Sequence, residues 1–121
     1  MNVAVKNTGI RRIWLAFGYS VKGVVATFKS EAAFRQETFL LLFAIPLALW
    51  IGDNLLEKVL LIAVVLLVLI IELVNSAIES LVERYGNEFH ELAGRAKDQG
   101  SAAVLLALLI AVLVWAAVLL D

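Results

Sequence analysis

The chain of 121 residues has no cysteine and carries a formal net charge of −1. The absence of cysteine excludes disulfides and thiolate metal sites. The near-neutral charge gives no strongly basic surface, so the sequence does not indicate a nucleic-acid-binding protein. It also lacks a G-x-x-x-x-G-K-[ST] loop and the protein-kinase signature, so any nucleotide chemistry here would not use either of those phosphate-binding designs.

Apolar residues dominate what is present, at 63% of the chain. Soluble domains contain about 45–50%, so the composition is typical of a membrane protein, and the length allows one domain, 1–121. Apolar runs at 39–51, 59–71 and 102–120 predict three transmembrane helices at about 31–51, 55–85 and 98–120. The charged stretch between the last two, residues 87–100, is predicted to be a loop. Residues 52–54 are predicted to form the turn between the first two spans, and Ser30 is expected to be the N-cap of the first.

The first 30 residues contain basic side chains and no acidic ones, and their apolar residues recur mostly at spacings of three and four. This pattern predicts an amphipathic helix at about 8–29 lying flat in the membrane interface; the alternative is a loosely ordered basic arm. Lysine and arginine are concentrated before the first span and in the second connecting loop. The positive-inside rule therefore predicts a cytoplasmic N-terminus and second loop.

A stripe of polar residues follows the apolar run 59–71 on the same predicted helix. Its members occupy an arc of about 100° on the helix: Glu72, Asn75, Ser76, Glu79 and Glu83. One interpretation is the solvated end of a membrane helix. The other is a carboxylate site that binds a metal or abstracts a proton, favoured by Glu72 and Asn75, which follow the apolar run without basic or aromatic interface residues.

The acidic residues Glu31 and Glu79 are expected at the cytoplasmic ends of two different helices. Two carboxylates together with substrate phosphates suit Mg²⁺, and Arg95 and Lys97 could neutralise phosphate charge. Glu72, about two turns deeper than Glu79, could accept a proton from a lipid hydroxyl. These parts fit phosphoryl transfer, although each is weak alone, and the residues by themselves indicate a small membrane enzyme or transporter.

Two long motifs make the chain resemble a known family. ELVNSAIE at 72–79 and HELAGRAKDQGSAAV at 90–104, with GYS at 18–20 and EAAFRQE at 31–37, are similar to the prokaryotic integral-membrane diacylglycerol kinases. The resemblance covers essentially the whole chain. It implies an all-α homotrimer with three transmembrane helices and a surface helix per protomer, active sites between protomers, and a location in the bacterial inner membrane.

The resemblance also implies the reaction, transfer of the γ-phosphoryl group of MgATP to diacylglycerol to give phosphatidate. It makes Glu72 the catalytic base and Glu31 and Glu79 the Mg²⁺ ligands. The remaining implied nucleotide contacts are Arg12, Tyr19, Glu88, Phe89, His90, Lys97 and Asp98. The implied contacts around the reacting centre and the lipid are Arg35, Glu37, Trp50, Asn75 and Ser101. Glu83 departs from the Asp common at that position of the family signature, so its role is not carried over.

Two alternatives remain open at this point. One is an undecaprenol kinase of the related Gram-positive branch. The sequence of residues 95–103 favours a diacylglycerol kinase over it. The other, from a different class, is a small multidrug-type transporter, which also carries an intramembrane glutamate but needs no cluster of cytoplasmic acids and cations.

Overall fold

A computed structural model of the chain describes residues 8–84 and 91–121. This part of the protein is helical throughout, apart from short connections. The helices are α1 (Gly9–Ser30), α2 (Ala32–Ile51), α3 (Leu55–Glu83) and α4 (Glu91–Leu120).

Three of the helices, α2, α3 and α4, are long and apolar enough to cross a membrane. The structure therefore contains the three long apolar helices that the sequence predicts as spans, and α3 and α4 contain 29 and 30 residues. At ~1.5 Å per residue each is roughly 44 Å long, against about 30 Å for a bilayer core. Each of these two helices must therefore extend out of the hydrocarbon.

The predicted loop at 87–100 is wrong for residues 91–100, because α4 begins at Glu91. The charged residues in this segment are interspersed with alanine and leucine, which favour helix, and the single interior Gly94 costs only about 1 kcal/mol. The charged segment thus belongs to the same helix as the apolar run. Residues 85–90 lie outside the described part of the chain.

The connection between α1 and α2 consists of one residue. Glu31 has an extended backbone (φ −116°, ψ 113°), and its N–H donates to the Thr27 carbonyl at 2.8 Å. Glu31, not the expected Ser30, occupies the N-cap position of α2. Arg35, one turn into α2, donates from Nη1 to the carbonyls of Phe28 and Lys29 at 2.8 and 3.0 Å. Those carbonyls belong to the last turn of α1, whose acceptors have no intrahelical partner.

We expect Arg35→Ala to loosen the end of α1. Removing a cationic donor from two helix-end carbonyls should cost on the order of 1.5 kcal/mol locally, which corresponds to about tenfold faster amide exchange at residues 27–31. Hydrogen–deuterium exchange in detergent micelles measures this, with Lys22→Ala on the exposed side of the same helix as the control. Equal exchange in the two variants would contradict the proposed tie between α1 and α2.

The turn between α2 and α3 confirms the prediction for residues 52–54. Asn54 is the N-cap of α3, and its side chain accepts from the Glu57 N–H at 2.9 Å. The Glu57 carboxylate in turn accepts from the Asp53 N–H at 3.0 Å. This reciprocal cap starts α3 at a defined residue.

Helix α3 is the centre of the fold and contacts each of the other three helices. Leu61 is fully buried, and a core of Ala44, Val64 and Val65 joins α2 to α3. Trp115 of α4 packs against this core and donates from Nε1 to the Leu61 carbonyl at 3.0 Å. The contact fixes α4 against α3 near the membrane end opposite Glu72.

Trp115→Phe should lower the free energy of unfolding by about 0.5–1 kcal/mol, the usual contribution of one hydrogen bond between membrane helices. Reversible unfolding in mixed micelles measures it. Trp50→Phe serves as the control, because Trp50 is 81% exposed; a loss of the same size there would show that the Trp115 bond contributes nothing specific.

Candidate active site between α2, α3 and α4

A cavity of about 210 Å³ lies beside the polar stripe of α3. It is lined by Glu31, Ala33, Glu72, Asn75, Ser76, Glu79, Ser101 and Val104. Residues from three helices, α2 or its cap, α3 and α4, therefore meet at one point. The structure brings together both predicted metal ligands, the predicted base, Asn75 and Ser101.

Glu72 is the most enclosed acid of the group, with 8% of its surface exposed. Glu31 and Glu79 line the same cavity as Glu72, and Glu37 on α2 is near enough to interact with it electrostatically. Burying a carboxylate beside other carboxylates is costly. Such a residue is typical of a functional site.

The side chains of the stripe orient its acids. Ser76 Oγ donates to Glu31 Oε1 at 3.4 Å and joins α3 to the cap of α2. Asn75 Nδ2 donates to Glu79 Oε1 at 3.0 Å, one turn further along α3. The sequence analysis did not predict that Ser76 contacts Glu31, although it placed Ser76 on the polar stripe.

The carboxylates accept these hydrogen bonds from neutral donors, so their negative charge is not neutralised by them. Within residues 8–84 and 91–121, no three acidic, cysteine or histidine side chains come together as ligands of one metal ion. A cation bound here would take Glu31 and Glu79 and complete its coordination from water or substrate oxygens. That donor set suits Mg²⁺, which keeps several such ligands when it binds proteins.

Several predicted contacts lie away from the cavity. Lys97 and Asp98 are exposed on the first turns of α4, and Arg12 and Tyr19 are exposed on α1. The Tyr19 ring lies 6.0 Å from Lys22 Nζ, within the range of a cation–π contact. None of these four residues lines the cavity of this single chain. Glu88, Phe89 and His90 lie outside the described residues.

Of the predicted lipid contacts, Glu37 faces Glu72 and Arg35 is directed to the end of α1. Trp50 lies near the other end of α2, 19 residues from Glu31, which corresponds to roughly 28 Å along the helix. Trp50 therefore cannot contact the same headgroup as Glu72 in one chain; its contact with a lipid remains a prediction.

Three membrane-type helices enclosing an acidic, partly buried cavity define a small helical membrane protein with a carboxylate site. Comparison with known proteins identifies the family to which this membrane protein belongs. Residues 18–119 match the family model of prokaryotic diacylglycerol kinase, and the chain belongs to that family.

Similar curated proteins cover nearly the whole chain. The diacylglycerol kinase of Escherichia coli strain K12 is 52% identical over 113 residues, 93% of each chain. That of Pseudomonas aeruginosa is 49% identical over 114 residues, 94% of this chain and 93% of the relative. That of Haemophilus influenzae is 48% identical over 114 residues, 94% and 97%. The chain is therefore a lipid kinase of this family, which excludes the transporter alternative.

Proposed function

We propose that the protein transfers the γ-phosphoryl group of MgATP to the hydroxyl of diacylglycerol, giving phosphatidic acid at the cytoplasmic face of the membrane. The observation that carries this is the placement of buried Glu72 in one cavity with Glu31 and Glu79, in a chain that belongs to the diacylglycerol kinase family.

Glu72 acts as the general base. Its carboxylate accepts the proton of the lipid hydroxyl as that oxygen bonds to the γ-phosphorus. The bond from the γ-phosphorus to the bridging oxygen breaks in the same transfer, and ADP leaves with the electron pair. The enclosure of Glu72 at 8% exposure limits the access of water, which would otherwise compete with the lipid alcohol for the phosphoryl group.

Glu31 and Glu79 hold the metal in this proposal. Mg²⁺ supplies neutralisation of the charge on the phosphates when it is bound there. Asn75 and Ser76 keep the two carboxylates directed at the cavity through their hydrogen bonds. Such outer partners of metal ligands usually matter 10- to 100-fold for affinity or activity.

The nucleotide is proposed to contact Lys97 and Asp98 on α4 and Arg12 and Tyr19 on α1, with Glu88, Phe89 and His90 around it. The lipid is proposed to contact Arg35, Glu37, Asn75 and Ser101 near the cavity, and Trp50 at another part of the molecule. Because Lys97 and Asp98 are exposed and do not line the cavity of their own chain, a homotrimer with sites shared between protomers provides a route for them to complete a neighbour's site.

The membrane arrangement follows from the charge pattern. We place the N-terminus on the cytoplasmic side of the inner membrane, with α1 in the interface. Its exposed apolar residues include Ile10, Ile13, Trp14 and Phe17, and basic residues are distributed along the same helix. Anionic lipid headgroups would accommodate the basic side chains, and the acyl chains beneath them would accommodate the apolar ones.

The test is an assay with γ-labelled ATP, Mg²⁺ and purified protein in mixed micelles, with label measured in the lipid phase. Diacylglycerol is expected to be labelled faster than undecaprenol when each is offered alone and in competition. Faster labelling of the polyprenol would contradict the proposed substrate and leave the chemistry intact. No lipid labelling with either alcohol would contradict the proposed function.

A further inference from the structure

Gly100 of α4 lies against α3 at the level of the site. It is buried, and a Cβ added there would overlap Asn75 Oδ1 and lie 3.2 Å from Asn75 Cγ and 3.6 Å from Ile78 Cδ1. A Cβ added at Gly94, earlier on the same helix, would meet nothing within 4 Å. The absence of a side chain at position 100 therefore leaves the space that the end of the Asn75 side chain occupies.

The Asn75 amide is held in a defined orientation in that space. Its Nδ2 donates to Glu79 Oε1 at 3.0 Å, while its Oδ1 is buried without a hydrogen-bond partner on the side of Gly100. The reverse orientation would put the amide oxygen against the Glu79 carboxylate, where like partial charges repel. Gly100 thus accommodates the oxygen so that the nitrogen can reach the carboxylate.

We propose that Gly100 is a positioning residue of the site: its missing side chain lets Asn75 sit between α3 and α4 and orient the Glu79 carboxylate toward the cavity. This inference rests on the proposed role of Glu79 in the kinase reaction. It assigns to Gly100 no contact with substrate, and its effect passes entirely through the Asn75 amide.

Gly100→Ala separates the positioning role from ordinary stability. Glycine-to-alanine changes inside helices stabilise the helix by up to about 1 kcal/mol, so intrinsic propensity alone gives no reason for a loss. The colliding atoms belong to the end of the Asn75 side chain and not to backbone. Rotation of that side chain relieves the overlap, so the helices still pack while the amide leaves Glu79.

The expected result for Gly100→Ala is a fall in kcat of about 10- to 100-fold, as for other partners that orient a metal-binding carboxylate. Gly94→Ala, the matched control on α4, should stay within about twofold of the unaltered protein. Equal rates in the two variants would overturn the proposal.

A double-mutant cycle with Asn75→Ala tests whether the effect passes through the amide. Once the amide is gone, the added methyl group has nothing to displace, so Asn75→Ala/Gly100→Ala should match Asn75→Ala. This comparison also holds if the single variant Gly100→Ala does not fold, because the double variant restores the space. A further large loss in the double variant would overturn the proposal.

A measurement without nucleotide or metal separates this inference from the proposed function. In protein labelled with ¹⁵N-asparagine, the Asn75 side-chain amide resonance is identified by its loss in Asn75→Ala. Gly100→Ala should shift it in the same direction as Glu79→Ala, which removes the acceptor, and Gly94→Ala should leave it in place. An unmoved resonance in Gly100→Ala would refute the inference even in a fully active kinase, and an unaltered protein that labels no lipid would refute the function alone.

Discussion

Glu72→Gln should reduce phosphoryl transfer by about 10²- to 10⁴-fold, the usual contribution of a general base, while the helices remain folded. Glutamine has nearly the same shape as glutamate, so the packing around the 8%-exposed side chain is kept and only the ability to accept the proton is lost. Labelled phosphatidate formed per minute from γ-labelled ATP measures the effect, with circular dichroism and reversible unfolding to verify the fold.

The matched control is Glu57→Gln at the other end of the same helix. Glu57 is 15 residues from Glu72, roughly 22 Å along α3, and the glutamine side-chain oxygen can still accept from the Asp53 N–H. This variant should keep near-normal activity. If Glu72→Gln were as active as the control, the assignment of the base would have to be abandoned, and Glu37, whose carboxyl group faces Glu72, would be the next residue to replace.

The number of spans and the position of the acidic stripe could be predicted because both depend on local features of the chain. A long apolar run needs a membrane, and helical periodicity alone puts Glu72 and Glu79 on one face. The turn at 52–54 was equally local. The start of α4 could not be predicted in this way, because a charged stretch can be a loop or a solvated helix extension. The choice between them depends on what lies beyond the membrane surface.

The rest of the site depends on how helices pack against one another. No spacing in the sequence shows that Ser76 reaches Glu31, 45 positions away, or that Gly100 faces Asn75. Arg35 was assigned to the lipid by resemblance, and its donation to the carbonyls at the end of α1 could not be read from residue types. The first two contacts are set by the rotation of α3 relative to its neighbours, and the third by the angle between α1 and α2; periodicity gives no information on either.

The placement of three carboxyl groups, Glu31, Glu72 and Glu79, along one cavity gives a physical reason for a cation at this site. Their mutual repulsion is not relieved by the neutral donors Asn75 and Ser76. A divalent ion would relieve it and would bind best in the presence of substrate phosphates. The metal and the nucleotide are therefore expected to bind cooperatively, each completing the environment of the other.

Glu31→Gln and Glu79→Gln test this directly, and each should raise the half-saturating Mg²⁺ concentration for lipid phosphorylation by at least about tenfold, because a neutral amide oxygen is a poorer ligand for a hard cation. The double variant should be nearly inactive at any Mg²⁺ concentration. Binding of Mn²⁺ to the ATP-free protein, followed by electron paramagnetic resonance, gives a readout that does not depend on turnover and should weaken in parallel.

Glu57→Gln again serves as the control, since it removes one carboxylate of the same helix far from the cavity. Its Mg²⁺ titration should superimpose on that of the unaltered protein. If the two cavity variants also gave superimposable titrations and unchanged Mn²⁺ binding, Glu31 and Glu79 would not be metal ligands, and their charges would have to serve in placing Glu72. A shift in one variant alone would assign the ion to that carboxylate, because the hydrogen bonds from Ser76 to Glu31 and from Asn75 to Glu79 hold the two acids independently.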